Sequence, residues 1–341
     1  MGEFGLIDRL VRQVQDPSLD PLKPSPDGEI RVGDDAAVWR SQRGGWDLFT
    51  TDALVEGVHF KLATTGWRDL GWKALTENLS DVAAMGGTPR RAFVTLGLRP
   101  ETLVSDLEAL YQGMREAADE FGVAIVGGDT VASPITLISV GVQGELEGSG
   151  LRRACGRAGD VVAVTGALGG SAGGLELLEL GVVDPLDAEE RALIERHRRP
   201  WPRVREGLAL AKAGVRCGMD LSDGLLGEAA KLAHASGFGL TIAYDMVPVE
   251  AIVTSRFGDR ARPMALAGGE DYELLFAAPA PVIEASTAAL ADAGLTSLSR
   301  IGQLTAEKPG QVRVVDAAGR EVRVGRGSWE HFAGGTDRRD S

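Results

Sequence analysis

The chain has 341 residues, 44% of them hydrophobic, with 46 glycines spread along it and a formal net charge of -13. At roughly 150 residues per domain this length predicts two domains, each able to bury a core, and the composition excludes disorder outside the termini. The negative field excludes ready binding to a nucleic-acid backbone, although small anions can be held where metal ions neutralise them.

Leu6, Ile7, Leu10, Val11 and Val14 have the spacing of a short amphipathic helix over Gly5 to Val14. Pro17, Pro21, Pro24 and Pro26 then mark an exposed linker from Asp16 to Asp27. The first compact unit contains predicted strands at Ala36 to Trp39, Asp47 to Thr51, Ala92 to Leu98, Ala124 to Val126 and Ile135 to Val142. Helices are predicted from Trp67 to Met85 and from Leu103 to Phe121, which suits a sheet with helices on one side. Val161 to Val164 is a continuous apolar run, the pattern of a strand buried on both faces. After it come a glycine-rich turn with a helix to Leu180, a helix from Val204 to Ala213 and a strand from Val215 to Met219. A helix over Gly224 to Ser236, strands at Leu240 to Tyr244 and Glu273 to Ala277, and a helix over Val282 to Ala293 complete the second unit. The division expected is 1–148, 149–335 and a frayed tail at 336–341 in a two-domain α/β (α+β) fold.

Cys155 and Cys217 form no CxxC pair and have no histidine beside them in sequence, so neither a thiolate zinc site nor a disulfide framework is predicted. A reducing cytoplasm is the simplest compartment. Charged residues interrupt the N-terminal apolar stretch, so it has no signal-type core, and no apolar run reaches the roughly 18 residues of a membrane span.

Hydroxyls and carboxylates recur at predicted element ends, in Gly33-Asp34-Asp35, Thr50-Thr51-Asp52, Asn78-Leu79-Ser80-Asp81, Gly127-Gly128-Asp129-Thr130 and Met219-Asp220-Leu221-Ser222-Asp223-Gly224. Each alone has an ordinary explanation: a Gly-Asp-Asp turn, a helix cap, a solvated helix face. Together they are the oxygen donors that magnesium prefers, with phosphate oxygens and water completing its shell. Glycine-rich Gly166 to Gly174 could cradle a phosphate at a helix start, but it lacks the Gly-Lys-Ser/Thr of a P-loop, and close packing explains it equally well. Gly268-Gly269-Glu270-Asp271-Tyr272-Glu273 brings three acids and an aromatic to the start of a strand. His59 reads as a loop histidine, and Trp329 as a core seal or a stacking platform.

Taken in order, these blocks resemble the thiamine-monophosphate kinase family over nearly the whole chain. The resemblance implies the two-domain fold of aminoimidazole ribonucleotide synthetase, with an N-terminal domain that pairs with its copy in a homodimer. It implies transfer of phosphate from ATP to thiamine monophosphate, and a metal cage of Asp35, Asp52, Asp81 and Asp129 without a general base. By motif, Asp35, Thr50, Thr51, Asp52, Asp81, Asp129, Asp220 and Asp223 are the implied magnesium ligands. Gly128, Asp129, Arg153 and Ser222 are the implied nucleotide contacts, Arg153 being placed by its distance from Gly159-Asp160. His59, Glu270 and Trp329 are the implied contacts to thiamine phosphate.

Two alternatives remain at this stage: another ATP-dependent kinase or synthetase of the same superfamily, and a non-catalytic thiamine-phosphate binder. The acceptor is a phosphate monoester, mostly dianionic at neutral pH, so a direct in-line transfer without a phosphoenzyme is expected. The expectation in space is that Asp220 and Asp223 face Asp35, Asp52, Asp81 and Asp129 across one cleft.

Overall fold

A computed structural model describes residues 3–14, 28–42, 44–182 and 187–324. The predicted proline-rich linker, Trp329 and the polar tail lie outside the described residues. Helix α1 (Glu3–Val14) precedes a first sheet with intervening helices: β1 (Ala37–Arg40), β2 (Trp46–Val55), α2 (Trp67–Ala84), β3 (Thr88–Leu98), α3 (Val104–Phe121), β4 (Ala124–Ala132) and β5 (Leu137–Leu146). The strand order is β1-β2-β5-β3-β4. Only the β3–β4 pair is parallel, and α3 makes the crossover that a parallel pair needs.

The second group comprises β6 (Val161–Thr165), α4 (Gly170–Glu179), α5 (Ala188–Arg198), α6 (Val204–Ala213), β7 (Cys217–Asp220) and α7 (Leu225–Ser236), then β8 (Gly239–Ala243), α8 (Ala251–Phe257), α9 (Ala261–Ala267), β9 (Leu274–Ala278), α10 (Ala280–Asp292), β10 (Leu298–Thr305) and β11 (Val312–Val315). Its sheet has the order β11-β8-β10-β6-β9-β7. The apolar runs of β6 and β9 form adjacent interior strands and are buried almost throughout, as a strand covered on both faces requires.

The two sheets meet at α2, which is buried on nearly every side. Leu70, Leu75, Leu79 and Val82 on this helix belong to one apolar core that continues into Val204 and Leu210 of α6, Phe276 of β9 and Ile283 of α10. The approach of α6 is close: a Cβ at Gly207 would lie 2.1 Å from the Ala83 carbonyl oxygen. That contact fixes α2 against the second unit as well as the first. No helix among the described residues is long and apolar enough to cross a membrane.

Two predicted strands are longer than their sequences suggest, and the excess carries candidate residues. Asp52, beyond the predicted end at Thr51, lies inside β2, which pairs with β5 all the way from Trp46 to Val55. Gly128, Asp129 and Thr130 lie inside β4, held there by the pairing with β3. In both cases cross-strand partners override the turn propensity of the local sequence.

Candidate functional site

Three segments far apart in sequence deliver carboxylates to one point. Asp35 enters from the turn before β1, Asp81 from the last turn of α2 and Asp220 from the end of β7, and one oxygen of each lies within 4.8 Å of the others. Each is fixed by a neighbour. Thr50 donates its hydroxyl to Asp81 Oδ2 at 2.5 Å, and Ser80 donates to Asp220 Oδ2 at 2.6 Å. Asp35 is bonded to the Arg153 guanidinium, yet its Oδ2 is buried without a hydrogen-bond partner.

Burial raises Asp81 well above the usual carboxylate range, and Asp52, Asp220 and Asp35 raise it further. Asp220 is raised in the same way, by burial first and by Asp35 next, against the Ser80 hydrogen bond. Asp34 is pushed up to about 7 by burial and by Asp35, against the pull of the Arg153 guanidinium and of the Asp35 N–H that it accepts at 3.1 Å. Such a set of oxygen donors, with mutual repulsion and an unpaired buried oxygen, fits a hard divalent cation.

Asp52 stands at the open side of this group. Its backbone N–H donates to Asn78 Oδ1 at 3.0 Å. The protein walls around its carboxyl raise it, followed by Asp223 and Asp35. Ser222 and Asp223 form the turn from β7 into α7. Glu228 accepts from the Ser222 hydroxyl at 3.4 Å and the Asp223 N–H at 3.2 Å, while Lys231 bridges Glu228 and Asp223. Gly224 has φ +101°, and a Cβ there would meet the Ala267 carbonyl oxygen at 2.8 Å. The turn is therefore pressed onto the loop before β9, which it bonds through Glu270 N to Ser222 O at 2.7 Å and Tyr272 N to Leu221 O at 3.0 Å. Two sequence blocks half a domain apart thus form one wall.

Glu270 in that wall is bonded to Lys73 Nζ at 2.7 Å and to His197 Nδ1 at 3.1 Å. Burial pushes its carboxyl up, but the Lys73 ammonium and His197 outweigh this and leave it at about 2. Next to it, the Asp271 carboxylate accepts from Gly169 N at 2.7 Å and Ser171 N at 3.1 Å. The start of α4, where the glycine-rich stretch could have cradled a phosphate, is thus capped by the chain's own acid.

Other sequence candidates lie elsewhere. Side chains alternate along β2, so Thr50 and Asp52 share the helix-covered face and exposed Thr51 lies on the other. Asp129 is in the row Ala53, Ser139, Thr95, Asp129 across the sheet, on that same open face and three strands from β2, about 14 Å. Its carboxylate accepts from Thr130 N at 2.8 Å. At Gly128 a Cβ would lie 1.7 Å from the Val94 carbonyl oxygen, so strand packing by itself requires glycine there. His59 accepts the Val55 N–H on Nδ1 at 3.0 Å in the turn after β2. Trp329 lies outside the described residues.

Lys73, Glu77, Glu228, Lys231 and His197 were not singled out by the sequence reading. Lys73, Glu77 and Asp81 recur every fourth residue on α2, a spacing that puts them on one face and could have exposed the first two. For His197 there is no such signal.

Residues 33–146 match the AIR synthase related protein, N-terminal domain, and residues 157–315 match the AIR synthase related protein, C-terminal domain. The chain is 37% identical over 280 residues to the thiamine-monophosphate kinase of Bacillus subtilis (strain 168), covering 80% of this chain and 82% of that one. It is 36% identical over 337 residues to the thiamine-monophosphate kinase of Escherichia coli (strain K12), covering 97% and 98% respectively. A solved structure described as AaThiL complexed with AMPPCP and TMP superposes with a TM-score of 0.83 at 34% identity and covers 97% of each chain. The two-domain fold implied by the resemblance is the fold of this chain.

Proposed function

We infer the chemistry from the premise that this chain belongs to the thiamine-monophosphate kinase family: it uses ATP to phosphorylate thiamine monophosphate, giving thiamine diphosphate and ADP. The observation that carries this reading is the meeting of Asp35, Asp81 and Asp220 between the two sheets, with Asp35 Oδ2 left unpaired. Those three acids, with Asp52 and Asp223 at the rim, would hold magnesium. Bound there, magnesium supplies the positive charge that lets two polyanions approach and that offsets charge in the transition state.

The chain's own residues do the rest. Thr50 and Ser80 orient two of the carboxylates, and the Ser222 turn presents its hydroxyl and backbone to the nucleotide's phosphates. Arg153 offers a guanidinium at the same point. Glu270, with His59 and Trp329 as further candidates, receives the organic part of the acceptor. The acceptor phosphate, with its second pKa at about 6, is already an anion at neutral pH. No side chain has to take a proton from it, so the transfer is direct and in line, without a phosphoenzyme. ATP as co-substrate puts the reaction in the cytoplasm.

We further propose a homodimer built on the open face of the first sheet, within a division of the chain at about residue 148. Exposed Phe93, Val126, Val131 and Ile135 on or beside β3 and β4 support that reading. Asp129 shares this face and is then contributed across the interface. Mixing inactive Asp129→Asn and Asp81→Asn proteins should restore turnover through hybrid dimers, whereas sites complete within one chain would give none.

The functional reading itself is tested by incubating the protein with ATP, magnesium and a series of phosphate monoesters. Thiamine diphosphate should form in step with ADP. Consumption of ATP only with another acceptor would make it a sister kinase or synthetase, and binding without consumption a silent binder.

A further inference from the structure

Lys73 lies in the middle of α2 and is 2% exposed. A buried ammonium is costly, and replacing a buried ion pair by apolar residues is often neutral or stabilising. Stability alone therefore does not account for a lysine here. Its hydrogen bond runs to Glu270, on a different segment, at 2.7 Å. His197 on α5 bonds the second oxygen of the same carboxylate and also lies 3.1 Å from the Ser171 hydroxyl. Burial, followed by Lys73, lowers His197, so a neutral ring donates to Glu270.

The backbone is as constrained as the side chain. Glu270 and Tyr272, with φ of 64° and 50°, are the non-glycine residues with positive φ among those described. Strained backbone of this kind persists where the surroundings over-determine it, and it gathers at ligand sites. Despite a lysine, a histidine and a strained loop holding it, the Glu270 side chain keeps 26% of its surface open. A carboxylate that was only a structural counter-ion would be enclosed.

We propose that Lys73 is a positioning residue for the acceptor: with His197 it fixes the Glu270 carboxylate so that its open lone pairs receive the amino group or positive charge of the acceptor's heterocycles. The inference rests on the functional reading above. Lys73 and Asp81 are eight residues apart on α2, about 12 Å along the helix axis. One elongated molecule can therefore set its phosphate at the acids and its organic part at Glu270.

Steady-state kinetics of Lys73→Met, Glu270→Gln and the double variant, with thiamine monophosphate and ATP varied in turn, test this. Loss of a charge-assisted contact predicts a rise of about 10- to 100-fold in KM for thiamine monophosphate in Lys73→Met. The KM for ATP should move by less than about twofold, as a loss confined to one substrate requires. The double variant should be no worse than Glu270→Gln alone, because Lys73 acts through Glu270. That comparison also carries the test if Lys73→Met fails to fold, since no charge is left unpaired in the double variant. An unchanged KM for thiamine monophosphate, an equal rise for both substrates, or further loss in the double variant overturns the inference while the functional reading stands. Wild-type protein that makes no thiamine diphosphate overturns both.

Discussion

Two neighbouring groups of carboxylates differ in what neutralises them. Asp81 and Asp220 sit with Asp35 in a group whose main protein counter-ion among the described residues is Arg153, and burial and mutual repulsion raise them. In the neighbouring wall Glu270 is held at about 2 by Lys73 and His197 despite its burial. Glu273, three residues on, is bonded to Arg203 and Thr165. Burial is common to both groups, so burial does not decide a carboxylate's charge here; the cation the chain supplies does. The first group is built to take its cation from outside, whereas the second already holds cations supplied by the chain.

The largest test of that contrast is Asp81→Asn. Removing one donor from the first group should lower kcat by about 10²- to 10⁴-fold, since a metal's share of transition-state stabilisation is several kcal/mol. Its melting temperature in magnesium-free buffer should not fall, because one of three repelling charges has gone. Full activity in this variant would show that the group does not hold the metal. The second group should answer in the opposite way. Arg203→Met leaves Glu273 buried beside Thr165 without its cation, and losing one partner of a buried pair costs about 3–5 kcal/mol. Thermal unfolding followed by circular dichroism should show that loss with or without magnesium. A variant as stable as the wild type would mean that the second group is not completed by the chain's own cations.

How much of this contrast could be read in the sequence depended on whether the residues act locally. The apolar stripe of α2 and the motif Asn78-Leu79-Ser80-Asp81 gave both the helix and one acid, because helix periodicity is a local property. The continuous apolar runs of β6 and β9 were equally legible. Asp129 was legible as an acid but not as one on the open face, because which face of β4 it takes depends on register against β3. Lys73 reads as a solvated lysine in any single helix; only Glu270 and α5, arriving from the other half of the chain, make it a buried counter-ion. The metal side is made of motifs and could be found; on the acceptor side the motif gave Glu270, but the partners that hold it, Lys73 and His197, come together only through tertiary contacts.

Glu77 lies four residues from both Lys73 and Asp81, so it tests where one group ends and the other begins. Burial pushes its carboxyl up to about 8 against the pull of Lys73, with Glu270 and Asp52 adding to the rise, and its Oε1 has no hydrogen-bond partner. In the unfolded chain the same group titrates at about 4.3. The folded state therefore holds a proton that the unfolded state releases first, and the stability of metal-free protein should decline as pH rises from about 4.3 toward 8. Glu77→Gln removes its own share of this slope and leaves the shares of Asp34, Asp81 and Asp220, which are raised in the same sense. Urea unfolding should find the variant equal to the wild type at about pH 4 and more stable by about 4–5 kcal/mol at about pH 8. A wild type whose slope is unchanged by the substitution would mean that Glu77 is ionised in the fold. Lys73 would then be shared between two carboxylates, and the self-neutralised group would reach one turn closer to Asp81.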